Sequence, residues 1–161
     1  MAKRMHQLLL LAVCICLYAA AAIAAPAKAP VPSARDKCPV CGMFVAKYPD
    51  FLAQIIFKDG NYALFDGVKD MFKYYFAMQK YNGSKSPADI ASVYVTDYYS
   101  MAPVDGRTSW YVAGSDVFGP MGRELIPFAQ KNDALEFMKD HAGKEVLPFS
   151  AITPEQLKGL D

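Results

Sequence analysis

The chain has 161 residues, of which 53% are hydrophobic and 20% charged, and its formal net charge is +1. This length and composition fit one compact domain or two small sub-domains and argue against an intrinsically disordered chain. The near-neutral charge, without a run of Lys or Arg, gives no support to a nucleic-acid-binding surface.

Residues 1–24 have the pattern of an export signal. Lys3 and Arg4 precede an apolar stretch, and small residues follow it. A positive start, an apolar middle and a small-residue end are typical of a cleaved leader. The segment Ala22-Ile23-Ala24 predicts cleavage before Ala25.

Two other fates of this leader are open. An uncleaved membrane anchor is one, but the apolar run over residues 8–25 is at the short end for a membrane span. Lipid attachment is the other, because Leu11-Ala12-Val13-Cys14 is close to the attachment pattern, although Val is a poor residue before the Cys. Cleavage and lipid attachment both place the folded part outside the cytoplasm. We therefore expect a periplasmic protein, either free or tethered to the membrane as a lipoprotein.

Removal of the leader changes the set of reactive side chains. The mature chain keeps only Cys38 and Cys41 as cysteines and His141 as a histidine, and 15 basic residues then face 16 acidic ones, a net charge of −1. Residues 25–35 alternate Pro with small residues and lack apolar periodicity. We expect them to form an extended tether outside the fold.

The rest of the chain predicts alternating strands and helices. In the first half we expect two strands, over residues 51–57 and 62–65, joined by an Asp-Gly turn over 58–61. A helix then opens at Asp66-Gly67, and after a break over 82–87 a third strand follows over 91–96. The second half repeats this order with two strands, over residues 109–113 and 124–128, then a helix and a last strand over 145–149. We expect Asn132 or Asp133 to cap the helix and Ala142-Gly143 to end it.

The two halves match at an offset of 63 residues through the helix. Phe65 aligns with Phe128, and Asp70 aligns with Asp133. Such periodicity indicates a duplicated unit of two strands, a helix and a strand. We therefore predict an α+β fold of two similar ββαβ sub-domains, with antiparallel sheets and one helix each.

We divide the predicted fold into residues 36–100 and residues 101–161. The halves differ in their hairpins, because the first turns tightly and the second has a long loop over residues 114–122. This loop carries Met121 between a proline and a glycine. Loops longer than the scaffold requires are often functional.

The strongest chemical signal is Cys38-Pro39-Val40-Cys41-Gly42-Met43. Two thiols three positions apart can close on one metal ion, and Gly42 permits the tight return that this requires. A structural zinc site would need a carboxylate or a second copy of the chain to complete its ligands. A thioredoxin-like redox pair would need a Cys at a helix N-terminus, and the residues after Cys41 do not read as a helix start. A plain disulfide would close a loop of few residues and so restrain the unfolded chain little.

Cu(I) is the fourth interpretation. It is a soft ion that prefers thiolate and thioether sulfur and needs few ligands. Met43 adds a thioether to the Cys motif, and Met121 lies in a loop where packing does not require it. Met101 is also in a loop, whereas Met71 and Met138 lie on apolar helix faces and are expected in the core.

Taken together, these segments resemble the NosL family, the nitrous oxide reductase accessory proteins. The matching segments are residues 38–43, the helix start Phe65-Asp66-Gly67, residues 94–98 and the stretch over residues 114–128. The resemblance spans about residues 36–152, and the order and spacing of its segments make it specific.

The resemblance implies a protein that binds Cu(I) outside the cytoplasm and supplies copper for the tetranuclear sulfide-bridged centre of nitrous oxide reductase. It also implies two sub-domains of ββαβ type. By correspondence with the family's motifs, Cys41 and Met121 are copper ligands, and Cys38 and Met43 fall within the same motif. Many members are lipoproteins, whereas the attachment pattern at Cys14 is weak.

We therefore predict a copper chaperone that is not an enzyme, with Cys38, Cys41, Met43 and Met121 as the metal ligands. Its expected partner is a copper-receiving apo-enzyme, nitrous oxide reductase, together with that enzyme's assembly factors. The sequence offers no Ser/His/Asp set for catalysis, and His141 is expected at a helix C-terminus. The alternative function is a periplasmic thiol-disulfide oxidoreductase that uses Cys38 and Cys41.

Overall fold

The structure, a computed structural model, describes residues 29–160. The predicted export signal over residues 1–24, with the lipid-attachment Cys14, lies outside the described residues. Within the described range, none of the helices has the length and apolar character that a membrane span needs.

The first half of the fold is a four-stranded antiparallel sheet with one main helix. Its strands are β1 (Ala53–Phe57), β2 (Tyr62–Phe65), β3 (Ile90–Thr96) and β4 (Pro103–Asp105), in the spatial order β2-β1-β3-β4. Helix α1 (Val68–Phe76) and the short helix α2 (Met78–Tyr81) connect β2 to β3. β1 is buried along its whole length, and four of its five residues are apolar.

The second half is a three-stranded antiparallel sheet with its own helix. Its strands are β5 (Trp110–Ala113), β8 (Ile126–Phe128) and β9 (Glu145–Pro148), in the order β8-β5-β9, and helix α3 (Lys131–Asp140) connects β8 to β9. Between β5 and β8 lies a small hairpin of β6 (Phe118–Gly119) and β7 (Gly122–Arg123), and helix α4 (Pro154–Lys158) follows β9. Four 3-10 turns complete the described elements: Val45–Lys47, Pro49–Phe51, Pro87–Asp89 and Phe149–Ala151.

The two halves repeat one topology, and the predicted pair of ββαβ units is confirmed. In each half the first strand lies in the centre and pairs with the second strand on one side and the third on the other. The register repeats as well, because Phe65 pairs with Ala53 and its counterpart Phe128 pairs with Trp110. Both phenylalanines are fully buried. β4 follows residue 100 in the chain and extends the first sheet.

Several predicted boundaries shift in the structure. The first strand begins at Ala53 because Pro49–Phe51 forms a 3-10 turn. The second predicted strand of the second half begins at Ile126, which leaves Glu124 outside it. These shifts matter for function, because Glu124 then belongs to the connection between β7 and β8.

The predicted N-cap of α3 is wrong, whereas its predicted end at Ala142-Gly143 is confirmed. Its N-cap is Gln130, whose side chain makes no capping hydrogen bond, so neither Asn132 nor Asp133 is the cap. At the other end Ala142 takes the left-handed conformation, with φ of 51°. The next amide, that of Gly143, donates to the carbonyl of Met138 and closes the last turn.

The expectation that residues 25–35 lie outside the fold is wrong at Pro30. The carbonyl of Pro30 accepts a hydrogen bond of 3.1 Å from Nε2 of Gln54 on β1. Gln54 is buried, so its amide needs a partner that the sheet does not supply. The chain before the Cys motif therefore contacts the first sheet.

The larger core joins the two halves. Phe72 of α1 packs edge-on against Tyr111 of β5, with ring centroids 5.4 Å apart, and lies 4.8 Å from the ring of Phe149. Leu157 and Leu160, which follow β9, belong to the same buried cluster. The C-terminal residues thus pack on the helix of the first half, and α1 is held from both sides.

Tyr111→Phe tests the hydrogen bond that the hydroxyl of Tyr111 makes at this junction. The buried hydroxyl of Tyr111 donates to the carbonyl of Gly106, in the turn between β4 and β5. Its loss leaves a buried carbonyl without that donor, so we expect the free energy of unfolding to fall by about 1–3 kcal/mol. Denaturant unfolding measures the change, and Tyr62→Phe, at an exposed tyrosine on β2, is the control. Equal free energies of unfolding in the two variants would contradict a stabilising role for the Tyr111–Gly106 hydrogen bond.

Candidate metal centre

The Cys motif forms a tight loop closed by backbone hydrogen bonds. The amide of Cys38 donates to the carbonyl of Met43 at 2.9 Å, and the amide of Gly42 donates to the carbonyl of Cys38 at 2.9 Å. Gly42 has φ of +81°, a left-handed conformation that a residue with a side chain adopts only at a cost. This closure brings the two sulfurs to one side of the loop.

The start of α1 lies opposite this loop. Asp66 precedes the N-cap Gly67, and Asp70 lies in the first turn of the helix. Both carboxylates are buried, at 1% and 4% exposure. Negative side chains are favoured at this end of a helix, because its amide groups and dipole present positive charge there.

The thiols and carboxylates meet in pairs. Cys41 Sγ donates to Asp66 Oδ1 at 3.1 Å, and Cys38 Sγ donates to Asp70 Oδ2 at 3.4 Å. One ligand atom from each of the four residues lies within 4.8 Å of the others. Within residues 29–160, this is the one cluster of three or more Cys, His, Asp or Glu side chains whose atoms could hold a metal ion.

Burial keeps the thiols of this cluster protonated. Desolvation raises the pKa of Cys38 to about 12, against the opposing effect of the amides of Cys41 and Val40, which favour the thiolate. Desolvation also raises the pKa of Cys41 far above its usual range, and the hydrogen bonds to the carboxylates of Asp66 and Asp70 raise it further. A metal ion that binds as a thiolate complex must therefore displace protons.

One carboxylate oxygen of the cluster has unused hydrogen-bonding capacity. Asp66 Oδ2 is buried and has no hydrogen-bond partner among the described residues. A buried polar atom of this kind is costly unless a proton, a water or a metal ion satisfies it. It points to a site that completes its contacts with a ligand.

The other two predicted ligands contribute differently. Met43 is half-buried and its backbone closes the Cys loop. Met121 lies at the turn between β6 and β7 with 46% of its surface exposed. Its carbonyl accepts a hydrogen bond of 2.8 Å from Nζ of Lys69, which lies between Asp66 and Asp70 in the chain. The hairpin of the second half therefore contacts the helix end that carries the two carboxylates.

Of the four predicted ligands, the structure brings the sulfurs of Cys38 and Cys41 together and brings the Met121 turn to the adjacent helix end. The role of Met43 and Met121 as ligands stays a prediction. Asp66 and Asp70 were missed by sequence reasoning, although the sequence shows two acidic residues four positions apart at the start of an apolar helix. That spacing places both at the same helix end, with Asp66 just before the N-cap and Asp70 in the first turn, and this is the signal that could have pointed to them.

Glu124 is the other residue that the sequence did not indicate. It is 3% exposed, and its Oε1 accepts from the amide of Lys69 at 2.5 Å and from its neighbour Leu125 at 2.9 Å. Desolvation raises the pKa of Glu124 to about 7, against the opposing effect of these amides. A carboxylate from the second half thus satisfies the first turn of α1.

Asp66→Asn tests the thiol–carboxylate pairing in the metal-free protein. Replacement of the carboxylate removes a contact that raises the pKa of Cys41, so the thiolate fraction at a fixed pH rises. We expect reduced protein to react faster with iodoacetamide at Cys41, as measured by mass spectrometry near pH 8. Asp133→Asn, at the counterpart of Asp70 in the other half, should leave the rate unchanged. An unchanged or slower rate in Asp66→Asn would argue against the pairing.

Comparisons with known proteins identify the family. No curated protein matches this chain. The crystal structure of the copper chaperone NosL from Shewanella denitrificans is similar, with a TM-score of 0.69 and 24% identity over 81% of this chain and 99% of that one. The solution NMR structure of the apo-NosL protein from Achromobacter cycloclastes gives a TM-score of 0.46 and 26% identity over 65% of this chain and 87% of that one. The family model for NosL matches residues 30–157, and the chain therefore belongs to the NosL family.

Proposed function

We propose that this protein is a copper chaperone, which holds Cu(I) outside the cytoplasm and passes it to an apo-enzyme. The observation that carries the proposal is the convergence of the Cys38 and Cys41 sulfurs beside two buried carboxylates. Thiolate sulfur is the ligand that soft Cu(I) prefers. Family membership supports this role, because a solved structure of the same fold is described as a copper chaperone.

The proposed ligands are the thiolates of Cys38 and Cys41 and the thioethers of Met43 and Met121. The two cysteines and Met43 come from one loop, and Met121 comes from the hairpin of the other half. In this proposal the exposed side chain of Met121 turns towards the thiols, and its carbonyl is held by Lys69 of α1. Thioether ligands suit a carrier, because they are neutral and bind a monovalent ion without adding charge.

Loading exchanges protons for the ion. Each thiol that becomes a ligand breaks its S–H bond, forms a bond to Cu(I) and releases one proton. Asp66 and Asp70 accept the hydrogen bonds from these thiols, and binding of the ion breaks these hydrogen bonds as the thiol protons leave to the solvent. Their negative charges also favour a cation over a neutral ligand in this buried site.

Release requires an open edge on the site. Cys38 is buried, whereas Cys41 is half-buried and Met121 is exposed. A ligand from a partner can therefore approach the ion from the Cys41 and Met121 side and displace these sulfurs one at a time. Transfer by ligand exchange needs no catalytic base, and the proposed role is binding and delivery without catalysis.

The proposed client is nitrous oxide reductase, which would receive copper for its copper-sulfide centre with the help of its assembly factors. The resemblance of residues 38–43 and 114–128 to the accessory proteins of that enzyme supports this client. The proposed location is the periplasm, supported by the export signal over residues 1–24, with lipid attachment at Cys14 as an alternative to simple cleavage.

A thiol-disulfide oxidoreductase is a poorer fit to the thiols. Such enzymes lower the pKa of the attacking Cys, usually at a helix N-terminus. Here burial raises the pKa of Cys38 to about 12, and carboxylates rather than cations face both sulfurs. The helix N-terminus nearby presents Asp66 and Asp70, not a cysteine.

Zinc is the second candidate cargo, and a specific observation favours it. Two cysteine sulfurs and two carboxylate oxygens together make a set of four ligands that Zn(II) accepts. The sequence indicated that a zinc site would need a carboxylate or a second copy of the chain, and two carboxylates lie beside the thiols. The two cargoes use different ligands beyond the cysteines, and so substitutions can separate them.

Met121→Leu and Asp70→Asn, each measured with both ions, separate these cargoes. If Cu(I) is the cargo, Met121→Leu should weaken its binding by about tenfold or more, equivalent to about 1.4 kcal/mol, and leave Zn(II) binding unchanged. Asp70→Asn should weaken Zn(II) binding more than Cu(I) binding. Anaerobic titration of the reduced protein against a competing chelator measures both.

Met101→Leu is the matched control, because Met101 lies in a loop with 48% exposure, close to the 46% of Met121. It should leave Cu(I) affinity at the wild-type value. Equal Cu(I) affinity in wild type and Met121→Leu would remove Met121 from the ligands. Tighter binding of Zn(II) than of Cu(I) by the wild type would favour the zinc candidate.

The pH dependence of the Cu(I) affinity shows how many thiolates bind the ion. The pKa of Cys38 is about 12, so at lower pH the thiol is protonated in the metal-free protein. Binding must remove this proton, and therefore becomes tighter as pH rises. Between about pH 6 and pH 8 we expect the affinity to rise about tenfold per pH unit for each thiol that binds. Two thiolates give about a hundredfold per unit, and Cys38→Ser should halve the slope on a logarithmic scale. A pH-independent affinity would contradict binding as a thiolate.

A further inference from the structure

The hairpin that carries Met121 is attached to α1 at two points. Lys69, which is itself buried, donates from Nζ to the carbonyl of Met121 at 2.8 Å and to that of Leu160 at 3.1 Å. Glu124 directly follows the hairpin and accepts from the amide of Lys69. The turn and the end of the hairpin are thus both held by the same residue of α1.

Helix α1 depends on this attachment for its own N-terminus. The first amides of a helix lack partners within it, and a side chain at the N-cap usually satisfies one of them. The N-cap of α1 is Gly67, which has no side chain to do so. Glu124, 55 residues further along the chain, satisfies the amide of Lys69 in its place.

Two glycines, Gly67 and Gly119, leave the space that the carboxylate of Glu124 occupies. A Cβ at Gly67 would collide with Oε2 of Glu124, and a Cβ at Gly119 on β6 would lie 3.1 Å from the same oxygen. The carboxylate therefore lies between the helix start and the hairpin, where neither neighbour has room for a side chain. A carboxyl group with 3% exposure is costly to bury, so its contacts must offset that cost.

We propose that Glu124 is a positioning residue for the metal site: by capping α1 it fixes the Met121 hairpin against the helix end that carries Asp66 and Asp70. Glu124 does not contact the metal in this arrangement. It determines where the backbone of Met121 lies, and hence whether the thioether reaches the ion that the thiols hold. This inference rests on the proposed Cu(I) function.

A double-mutant cycle between Glu124 and Met121 tests the inference. Glu124→Ala should weaken Cu(I) binding by about 10- to 100-fold, the range seen when a group that orients a metal ligand is removed. In the Met121→Leu background the same substitution should cost little, because the ligand that Glu124 positions is already gone. Glu124→Gln, which keeps an acceptor oxygen for the amide of Lys69, should restore most of the affinity. Additive effects of the two substitutions, or wild-type affinity in Glu124→Ala, would overturn the inference.

A control variant separates positioning from loss of stability. Phe137→Leu, in the smaller core of the second half, lowers stability without touching the hairpin or α1 and should leave Cu(I) affinity unchanged. If Glu124→Ala does not fold, Glu124→Asp takes its place in the cycle, since it keeps the charge but shortens the reach. Coupling with Met121→Leu then supports the inference, and its absence overturns it.

Amide hydrogen exchange in the metal-free protein tests the attachment without copper. The amides of Lys69 and Leu125 donate to Glu124, so their protection should fall in Glu124→Ala and be largely kept in Glu124→Gln. Unchanged protection in Glu124→Ala would overturn the inference. One further outcome separates the two claims. If the wild type binds no Cu(I), and the protection of these amides is nevertheless lower in Glu124→Ala than in the wild type, the proposed function fails while the attachment stands.

Discussion

The pairing of two buried carboxylates with two thiols sets the chemistry of this protein. Asp66 and Asp70 lie at the start of α1, where the helix dipole favours negative charge, and each accepts a hydrogen bond from a cysteine. The thiols are kept neutral, and so the site holds protons that a cation can displace. A buried site with carboxylates beside protonated thiols is suited to a positive ion, and its raised thiol pKa values do not favour disulfide exchange.

The duplicated fold explains why the site occurs in the first half and not in the second. Asp70 has its counterpart in Asp133, but the position that corresponds to Asp66 is Ala129. Among the described residues, no cysteine lies near the start of α3, since both cysteines belong to the loop before the first unit. The second half contributes instead through its elongated hairpin, which α1 holds by Lys69 and Glu124. One copy of the unit thus supplies the buried cluster and the other supplies a loop beside it.

The elements of the fold could be predicted because they follow from apolar periodicity and turn residues. The β2 strand at residues 62–65 and the repeated topology are examples. The N-cap of α3 was wrong because Gln130 carries no propensity that identifies it as a cap. The sequence could at most place Asp66 and Asp70 at one end of α1. An acidic residue is usually exposed, and only the packing of distant segments shows that these two and Glu124 are buried. The Cys motif was evident, since its spacing alone allows two sulfurs to converge.

The proposed function requires sulfur from both halves to bind one Cu(I) ion. X-ray absorption at the copper edge, measured on the Cu(I)-loaded reduced protein, tests this most directly. The account predicts a first coordination shell of sulfur that loses one sulfur atom in Met121→Leu and keeps it in Met101→Leu. A shell that contains carboxylate oxygen in place of thioether sulfur, and that is the same in wild type and Met121→Leu, would contradict it.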